Sequence, residues 1–172
     1  MSHDKARIGW IGSGRMGTAM ATRLIDGEND VIVANRARAK AEVLAELGAT
    51  IADRYSDLAD CDFVFVMVSA DSDVLEVTLG TDGVLTNQLL APKVLIDCST
   101  ISIEASAKVR RASTERQIEF LAAPVSGNPS VVKAGQLTLA VSGERGKRRA
   151  TLEPSKCLRN AARRSYRICD DT

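Results

Sequence analysis

Short apolar runs alternate with longer amphipathic stretches through the first 143 residues. The apolar runs predict strands at residues 7–11, 31–35, 63–68, 94–97, 119–122 and 137–141. The run at 63–68, FVFVMV, is apolar at every position, which is typical of a central strand covered on both faces. Strands that alternate with helices form βαβ units and a parallel sheet. The pattern therefore predicts a doubly wound α/β fold with a mostly parallel sheet.

The stretches between these runs have the spacing of amphipathic helices. Helices are predicted at residues 15–25, 37–47 and from 102 toward 115. Gly48 follows the second stretch, and a glycine there favours the left-handed conformation that ends many helices. Ser102 precedes the third stretch and is expected to be its N-cap, accepting a hydrogen bond from the first turn.

Composition places the chain among ordinary globular proteins. Hydrophobic residues make up 45% and charged residues 26% of the 172 residues, a length that suits one well-buried domain. No apolar run approaches the roughly 20 residues that a membrane span needs, and the first residues lack the apolar segment of a secretory signal. We therefore expect a cytoplasmic protein with no membrane contact.

Charge is unevenly spread and changes at Gly143. Residues 144–172 hold nine Lys and Arg against four acidic residues, so this tail carries +5 although the whole chain carries +1. The boundary predicts a globular domain over residues 1–143 and a basic tail over 144–172. We expect that the abrupt change marks a truncated or out-of-frame ending. The alternative is a nucleic-acid-binding arm, but Tyr166 is its only aromatic residue and no reader motif is present, so no nucleic-acid partner is expected.

The four cysteines are scattered and form no C-x-x-C pair. With His3 as the single histidine, no metal site is expected. Cys61 and Cys98 lie at the edges of predicted strands, where a small buried thiol is favoured over a reactive one.

Residues 7–20, RIGWIGSGRMGTAM, place glycines at positions 12, 14 and 17 between a predicted strand and a predicted helix. In that setting G-x-G-x-x-G is the fingerprint of a Rossmann-type dinucleotide-binding turn. Gly12 permits the tight turn, Gly14 lets the backbone approach a pyrophosphate, and Gly17 lets the helix pack on the sheet. The N–H groups of the first helical turn then face the phosphates. The alternative is a glycine turn that serves packing alone.

The end of the second predicted strand indicates which dinucleotide is bound. NAD sites usually carry Asp or Glu there, and this acid bonds the ribose 2′-hydroxyl. This chain has Asn35 and Arg36 instead, and its nearest preceding acids lie before the strand. A guanidinium at Arg36 pairs with a 2′-phosphate, so the sequence favours NADP. The alternative is a solvated arginine at the start of a helix.

Several segments in order resemble one enzyme family. They are IGSGRMG at 11–17, ANR at 34–36, VMVS at 66–69, LGTDGVL at 79–85, IDCSTIS at 96–102, and APVSGN followed by AGQLTLAVSG within 123–143. Together they resemble the NAD(P)-binding domain of the β-hydroxyacid dehydrogenases. That family includes 3-hydroxyisobutyrate dehydrogenases and is related to 6-phosphogluconate dehydrogenases and imine reductases.

The resemblance implies which residues contact NADP(H) and a small-molecule substrate. The implied cofactor contacts lie in the glycine turn, after the second strand and in two later loops: Gly12, Ser13, Gly14, Arg15, Met16, Gly17, Asn35, Arg36, Val68, Ser69 and Thr100. Ser126 and Gly127 would hold and position the substrate carboxylate, with Asn128 beside them in the same substrate-binding loop. From the residues alone, Ser126 either donates to a carboxylate or fixes its own turn.

The substrate loop departs from the family pattern D-A-P-V-S-G-G-x-x-G-A-x-x-G-T. Ala122 stands in place of the acid, Asn128 and Val131 in place of glycines, and Gln136 in place of threonine. A bulkier, less polar loop suits a less polar substrate such as an imine. Lys133 lies nearby, either as part of the site or as an exposed loop lysine.

Family enzymes continue into a helical domain with a catalytic lysine in a G-x-G-x-x-x-K-x-x-N motif, which this sequence does not contain. The resemblance implies that dimers form largely through that domain, so its absence here predicts an exposed apolar sheet flank and poor solubility or non-native association. The oligomeric state stays open. The leading hypothesis is an NADP-dependent oxidoreductase that transfers hydride to or from a small hydroxy acid or a related carbonyl or imine, represented by its cofactor-binding domain. The alternative is a non-catalytic NADP-binding module or an inactive remnant.

Overall fold

The central sheet consists of six parallel strands. The computed structural model describes residues 6–142 and 166–168. The strands are β1 Arg7–Ile11, β2 Asp30–Ala34, β3 Thr50–Ile51, β4 Phe63–Val66, β5 Val94–Asp97 and β6 Glu119–Ala122. Their order across the sheet is β3-β2-β1-β4-β5-β6, and every neighbouring pair is parallel. This is the strand order of a Rossmann-type fold, which confirms the predicted fold class.

Helices follow the strands and cover both faces of the sheet. They are α1 Arg15–Asp26, α2 Arg38–Ala45, a 3₁₀ helix Tyr55–Asp60, α3 Asp71–Leu79, α4 Ile103–Glu115 and α5 Pro129–Lys133. Two separate apolar clusters form, one containing Trp10 of β1 and the other containing its neighbour Ile11. All four residues of β4 are buried, as expected for a strand covered on both sides.

A small second sheet lies beyond β6. It contains β7 Val125–Ser126, β8 Thr138–Val141 and β9 Tyr166–Ile168, with β7 and β8 antiparallel and β8 and β9 parallel. An antiparallel bridge between Ala122 and Ser142 joins it to the end of β6. Most of the predicted basic tail at 144–172 lies outside the described residues, and the boundary at 143 stays a prediction.

Most predicted elements are present, with small shifts at their ends. The strands predicted at 7–11, 94–97 and 119–122 have the observed bounds. The strand predicted at 63–68 ends at Val66, because the N–H of Val68 donates to the Ser99 hydroxyl rather than to a neighbouring strand. The short elements β3, β7, α5 and β9, the 3₁₀ helix and the helix α3 were not predicted.

The two predicted helix ends are confirmed. Gly48 has a φ of +108°. The N–H of Gly48 donates to the carbonyl of Ala45, and the N–H of Ala49 to that of Leu44, which is the Schellman pattern after α2. Ser102 is the N-cap of α4, and its hydroxyl accepts from the N–H of Ala105 at 3.2 Å.

No helix in the described part of the chain is both long enough and apolar enough to span a bilayer.

Candidate functional site

Two glycines of the turn after β1 are required by close packing. Gly12 has a φ of +102°, and a Cβ there would lie 2.1 Å from the carbonyl oxygen of Met67. A Cβ on Gly17 would lie 2.1 Å from the carbonyl oxygen of Gly12. Any side chain at either position would push α1 away from the ends of β1 and β4.

Gly14 differs, because it has open space beside it in the described part of the chain. Beyond its own neighbours and helix backbone, a Cβ on Gly14 would meet no atom of the described residues within 4 Å, and its φ of −73° is open to any residue. Gly14 is the N-cap of α1, with no side-chain cap and no acidic residue in the first turn. The first N–H groups of a helix lack partners inside the helix and carry its positive dipole end. The open space at Gly14 therefore suits an anion.

The hydroxyl of Ser13 points to the same conclusion. Ser13 is 5% exposed, and its Oγ is buried without a hydrogen-bond partner among the described residues. A buried hydroxyl without a partner costs free energy unless a ligand or water pairs with it. A phosphate oxygen at the start of α1 would supply that partner.

Trp10 and Asn35 hold the glycine turn from two sides. Trp10 Nε1 donates to the carbonyl of Gly12 at 2.8 Å, and its ring stacks on Phe65 with centroids 5.6 Å apart. Asn35 Oδ1 accepts from the N–H of Ser13 at 3.0 Å, and its Nδ2 donates to the carbonyl of Ala37 at 2.8 Å. Asn35 thus joins the turn to the start of α2.

A cleft of about 190 Å³ runs from the glycine turn past the end of β2. Seven of the predicted cofactor residues line it: Gly12, Ser13, Gly14, Asn35, Arg36, Val68 and Ser69. Arg15 lies next to it in a larger groove along α1, while Met16 and Gly17 complete the first helical turn. Thr100 lines a different cleft of about 440 Å³ beside α4. The structure therefore gathers most of these residues at the carboxyl edge of the sheet.

Sequence reasoning missed four charged or aromatic residues in the cleft: Lys40, Tyr55, Asp73 and Glu76. Helical spacing could not have placed Lys40 beside Arg36, because Arg36 precedes α2, which begins at Arg38. Burial raises the pKa of Tyr55. The positive charge of Arg36 opposes this shift, and the negative charges of Glu76 and Asp73 add to it. Tyr55 and the two acids come from elements that had no periodic signal.

Arg36 stands at the outer end of this cleft. Its side chain is 88% exposed, and its Nη1 lies 3.6 Å from Oδ1 of Asp73. The guanidinium is therefore accessible to a ligand, but it has an acidic neighbour that the sequence did not reveal.

Hydrogen bonds between side chain and backbone fix the loops after β4 and β5. Ser99 Oγ accepts from the N–H of Val68 at 3.0 Å, and the N–H of Ser99 donates to Oδ1 of Asp97 at 3.0 Å. Asp97 is 3% exposed. Burial raises the pKa of Asp97, and the hydrogen bonds from Ser99 oppose this. These contacts set where Val68 and Ser69 meet the cleft.

The predicted substrate loop leads into α5, which shares the groove along α1 with the glycine turn. Ser126 is exposed in β7, opposite Thr138 of β8. Gly127 has a φ of +150°, and a Cβ there would lie 3.0 Å from Cδ1 of Leu137. Asn128 is the N-cap of α5. None of Ser126, Gly127 and Asn128 lines the cleft at Arg36 or the cleft at Thr100.

Asn128 therefore has a structural task. Its Oδ1 accepts from the N–H of Ser130 at 3.0 Å and of Val131 at 3.1 Å. Lys133 ends the same helix, is exposed, and lines the groove along α1.

The two described cysteines are buried and unpaired. Burial raises the pKa of the Cys61 thiol to about 12 and also raises that of Cys98. Neither forms a thiolate at neutral pH, in keeping with the interpretation of small buried side chains.

The chain matches the family model of the NAD-binding domain of 6-phosphogluconate dehydrogenase over residues 7–168. It is 35% identical over 142 residues to the uncharacterized oxidoreductase YkwC of Bacillus subtilis (strain 168), covering 82% of this chain and 49% of that protein. The chain thus spans about half the length of the curated relatives it matches.

Solved structures show the same fold. One is described as Psf3 in complex with NADP+ and 2-OPP, with a TM-score of 0.82 and 28% identity over 93% of this chain and 56% of that one. Another is Mycobacterium tuberculosis 3-hydroxyisobutyrate dehydrogenase with L-serine, with a TM-score of 0.81 and 25% identity over 94% of this chain and 54% of that one.

Proposed function

The chain belongs to the family of the NAD-binding domain of 6-phosphogluconate dehydrogenase, and on this premise we propose that it is the cofactor-binding half of an NADP-dependent oxidoreductase of the β-hydroxyacid dehydrogenase type. The observation that carries the proposal is the open start of α1. Gly14 faces free space there, and the buried hydroxyl of Ser13 has no partner in the described part of the chain.

The residues of the glycine turn fit a pyrophosphate. The N–H groups of Arg15, Met16 and Gly17 begin α1, and Ser13 adds a hydroxyl donor. A side chain at Gly14 would fill the space that the phosphates need. The bound cofactor would donate hydride to the substrate in its reduced form or accept hydride from it in its oxidised form. The protein binds and orients the cofactor by its phosphates and its adenosine.

The cations near the end of β2 favour NADP over NAD. The side chain of Arg36 is exposed, and both Arg36 and Lys40 of α2 line the cleft. The residue that follows β2 is Asn35, whose amide is engaged with Ser13 and Ala37, so no acid at that position rejects a 2′-phosphate. The description of one similar structure as an NADP+ complex supports this choice.

We propose a small hydroxy acid, or a related carbonyl or imine, as the substrate. The likeness to a 3-hydroxyisobutyrate dehydrogenase supports a hydroxy acid. Ser126 is exposed on β7 and is proposed to position the substrate with Gly127, whereas the oxygen of Asn128 caps α5. A cytoplasmic location and an oligomer stay predictions.

Two measurements on one sample test the proposal. NADPH oxidation is followed with a panel of carbonyl acids and cyclic imines, after binding of NADPH and NADH has been measured. We expect NADPH to bind more tightly than NADH, and Arg36→Asp to reverse that order. Arg38→Asp, an equal charge change on an arginine outside the cleft, is the matched control.

Two outcomes bear on the candidate functions. Turnover with any member of the panel excludes the non-catalytic module. Tight NADPH binding without turnover supports the cofactor site, which the cofactor-binding half and the module share. NADH binding more tightly than NADPH would contradict the NADP assignment.

A further inference from the structure

A carboxylate lies on the wall of the cleft that faces Arg36. Asp73 belongs to the first turn of α3, and its Oδ1 is 3.6 Å from Nη1 of Arg36. Its side chain is 31% exposed, against 88% for Arg36. The acid is therefore the more enclosed partner, and the guanidinium reaches toward it across the cleft.

The charges of the cleft are balanced without a ligand. Arg36 and Lys40 supply two cations, and Asp73 and Glu76 supply two carboxylates, all lining the same space. A 2′-phosphate brings a charge of about −1.5 to −2 at neutral pH, by analogy with other phosphate monoesters. It would enter a cleft in which its preferred partner already has an anionic neighbour. A neutral 2′-hydroxyl would bring no charge.

We propose that Asp73 is a specificity-determining residue, which competes with the 2′-phosphate for Arg36 and so narrows the preference for NADP over NAD. This inference rests on the proposed function, because it concerns the same cleft. With NADP, the guanidinium is shared between the phosphate and the carboxylate, and the two anions repel each other. With NAD, the pair of Arg36 and Asp73 stays intact, and a hydroxyl is a suitable donor to a carboxylate.

The test is a calorimetric titration of wild-type protein and Asp73→Asn with NADP+ and with NAD+. Asp73→Asn removes the charge and keeps the size of the side chain. We expect the Kd for NADP+ to fall roughly two- to fivefold, and the Kd for NAD+ to change less than about twofold, as for charges in a partly exposed site. Added salt should shrink the gain.

Two further variants isolate the cause. Asp53→Asn makes the same charge change in another exposed ion pair, in which Oδ1 of Asp53 lies 2.6 Å from Nη1 of Arg38. Asp53 does not line the cleft. It should leave the ratio of the two Kd values unchanged. In an Arg36→Ala background, Asp73→Asn should gain less NADP+ affinity than in the wild type, because the contested cation is gone.

The results distinguish this inference from the proposed function. If the folded wild type binds neither nucleotide, the proposed function is wrong and the inference falls with it. If the wild type binds NADP+ and Asp73→Asn shifts the ratio no more than Asp53→Asn, the inference alone is overturned. Asp73→Ser repeats the test with a smaller uncharged side chain, should the amide variant fail to fold.

Discussion

The backbone N–H of Ser13 donates a hydrogen bond of 3.0 Å to Oδ1 of Asn35, a residue 22 positions later in the chain. The bond joins the turn after β1 to the loop after β2. It also leaves the side chain of Arg36, the next residue, facing the cleft. The side-chain amide of Asn35 thus sets the position of the glycine turn relative to Arg36, the cation proposed to bind the 2′-phosphate.

Asn35→Ala should weaken the binding of both nucleotides by a similar factor. The substitution frees the N–H of Ser13 and the start of α2, so the turn is held less well for either cofactor. We expect a loss of about tenfold in each affinity, equivalent to about 1.4 kcal/mol. Titration with NADPH and NADH checks this. A loss confined to NADPH would show that Asn35 acts on the 2′-phosphate instead.

Gly17 and Gly14 should respond differently to alanine. Gly17→Ala places a methyl group 2.1 Å from the carbonyl of Gly12 and should lower the free energy of unfolding by about 3 kcal/mol. Gly14→Ala meets open space and should change it by less than about 1 kcal/mol, while weakening cofactor binding about tenfold or more. Denaturant unfolding and nucleotide titration of both variants separate folding from binding. Equal destabilisation by both would contradict the assignment of Gly14 to the ligand.

Asp97 should make the protein less stable as pH rises. Burial raises the pKa of Asp97 in the folded state, so the folded state binds more protons than the unfolded state between the two pKa values. The stability that this difference contributes is present below the ordinary carboxyl pKa and is lost as pH rises through the raised one. The free energy of unfolding of Asp97→Asn, relative to that of the wild type, should therefore increase as the pH is raised from about 4 to about 7. A constant difference across that range would show that burial does not perturb Asp97.

Cys61 and Cys98 should resist alkylation until the protein unfolds. Both are buried, and burial raises the pKa of Cys61 to about 12. Iodoacetamide at mildly alkaline pH should label the peptides that contain these residues slowly in native protein and quickly in denaturant, since the thiolate is the reactive form. Mass spectrometry of the two peptides gives the rates. Fast labelling of Cys61 in the native protein would instead show that its thiol is reactive.

The sequence revealed the parts of the molecule that depend on periodicity and on glycine. The strand β4 was predicted because FVFVMV is apolar throughout. The turn was predicted from its G-x-G-x-x-G spacing, and the structure shows that the contacts of Gly12 and Gly17 leave no room for a side chain. The N-cap Ser102 was found from its place before an amphipathic stretch. These signals are local, and the structure has them at or near the predicted positions.

Charges brought together by the fold could not be predicted in the same way. Asp73 lies on α3, whose apolar residues do not form a single stripe, so neither the helix nor its acid was placed near Arg36. The capping role of Asn128 could not be predicted, because its oxygen accepts two N–H groups of α5, a helix too short to carry a periodic pattern. Its part in substrate binding stays a prediction. Asp73 and the N–H groups that Asn128 caps both lie on helices, α3 and α5, that the hydrophobic pattern did not predict.

Calorimetric titration of the folded wild-type protein with NADPH and with NADH is the most direct test of the central claim, that the start of α1 holds a pyrophosphate and Arg36 a 2′-phosphate. We predict saturable binding at one site, with NADPH the tighter ligand. The absence of measurable affinity for either nucleotide, from protein whose circular dichroism shows it to be folded, would contradict the account.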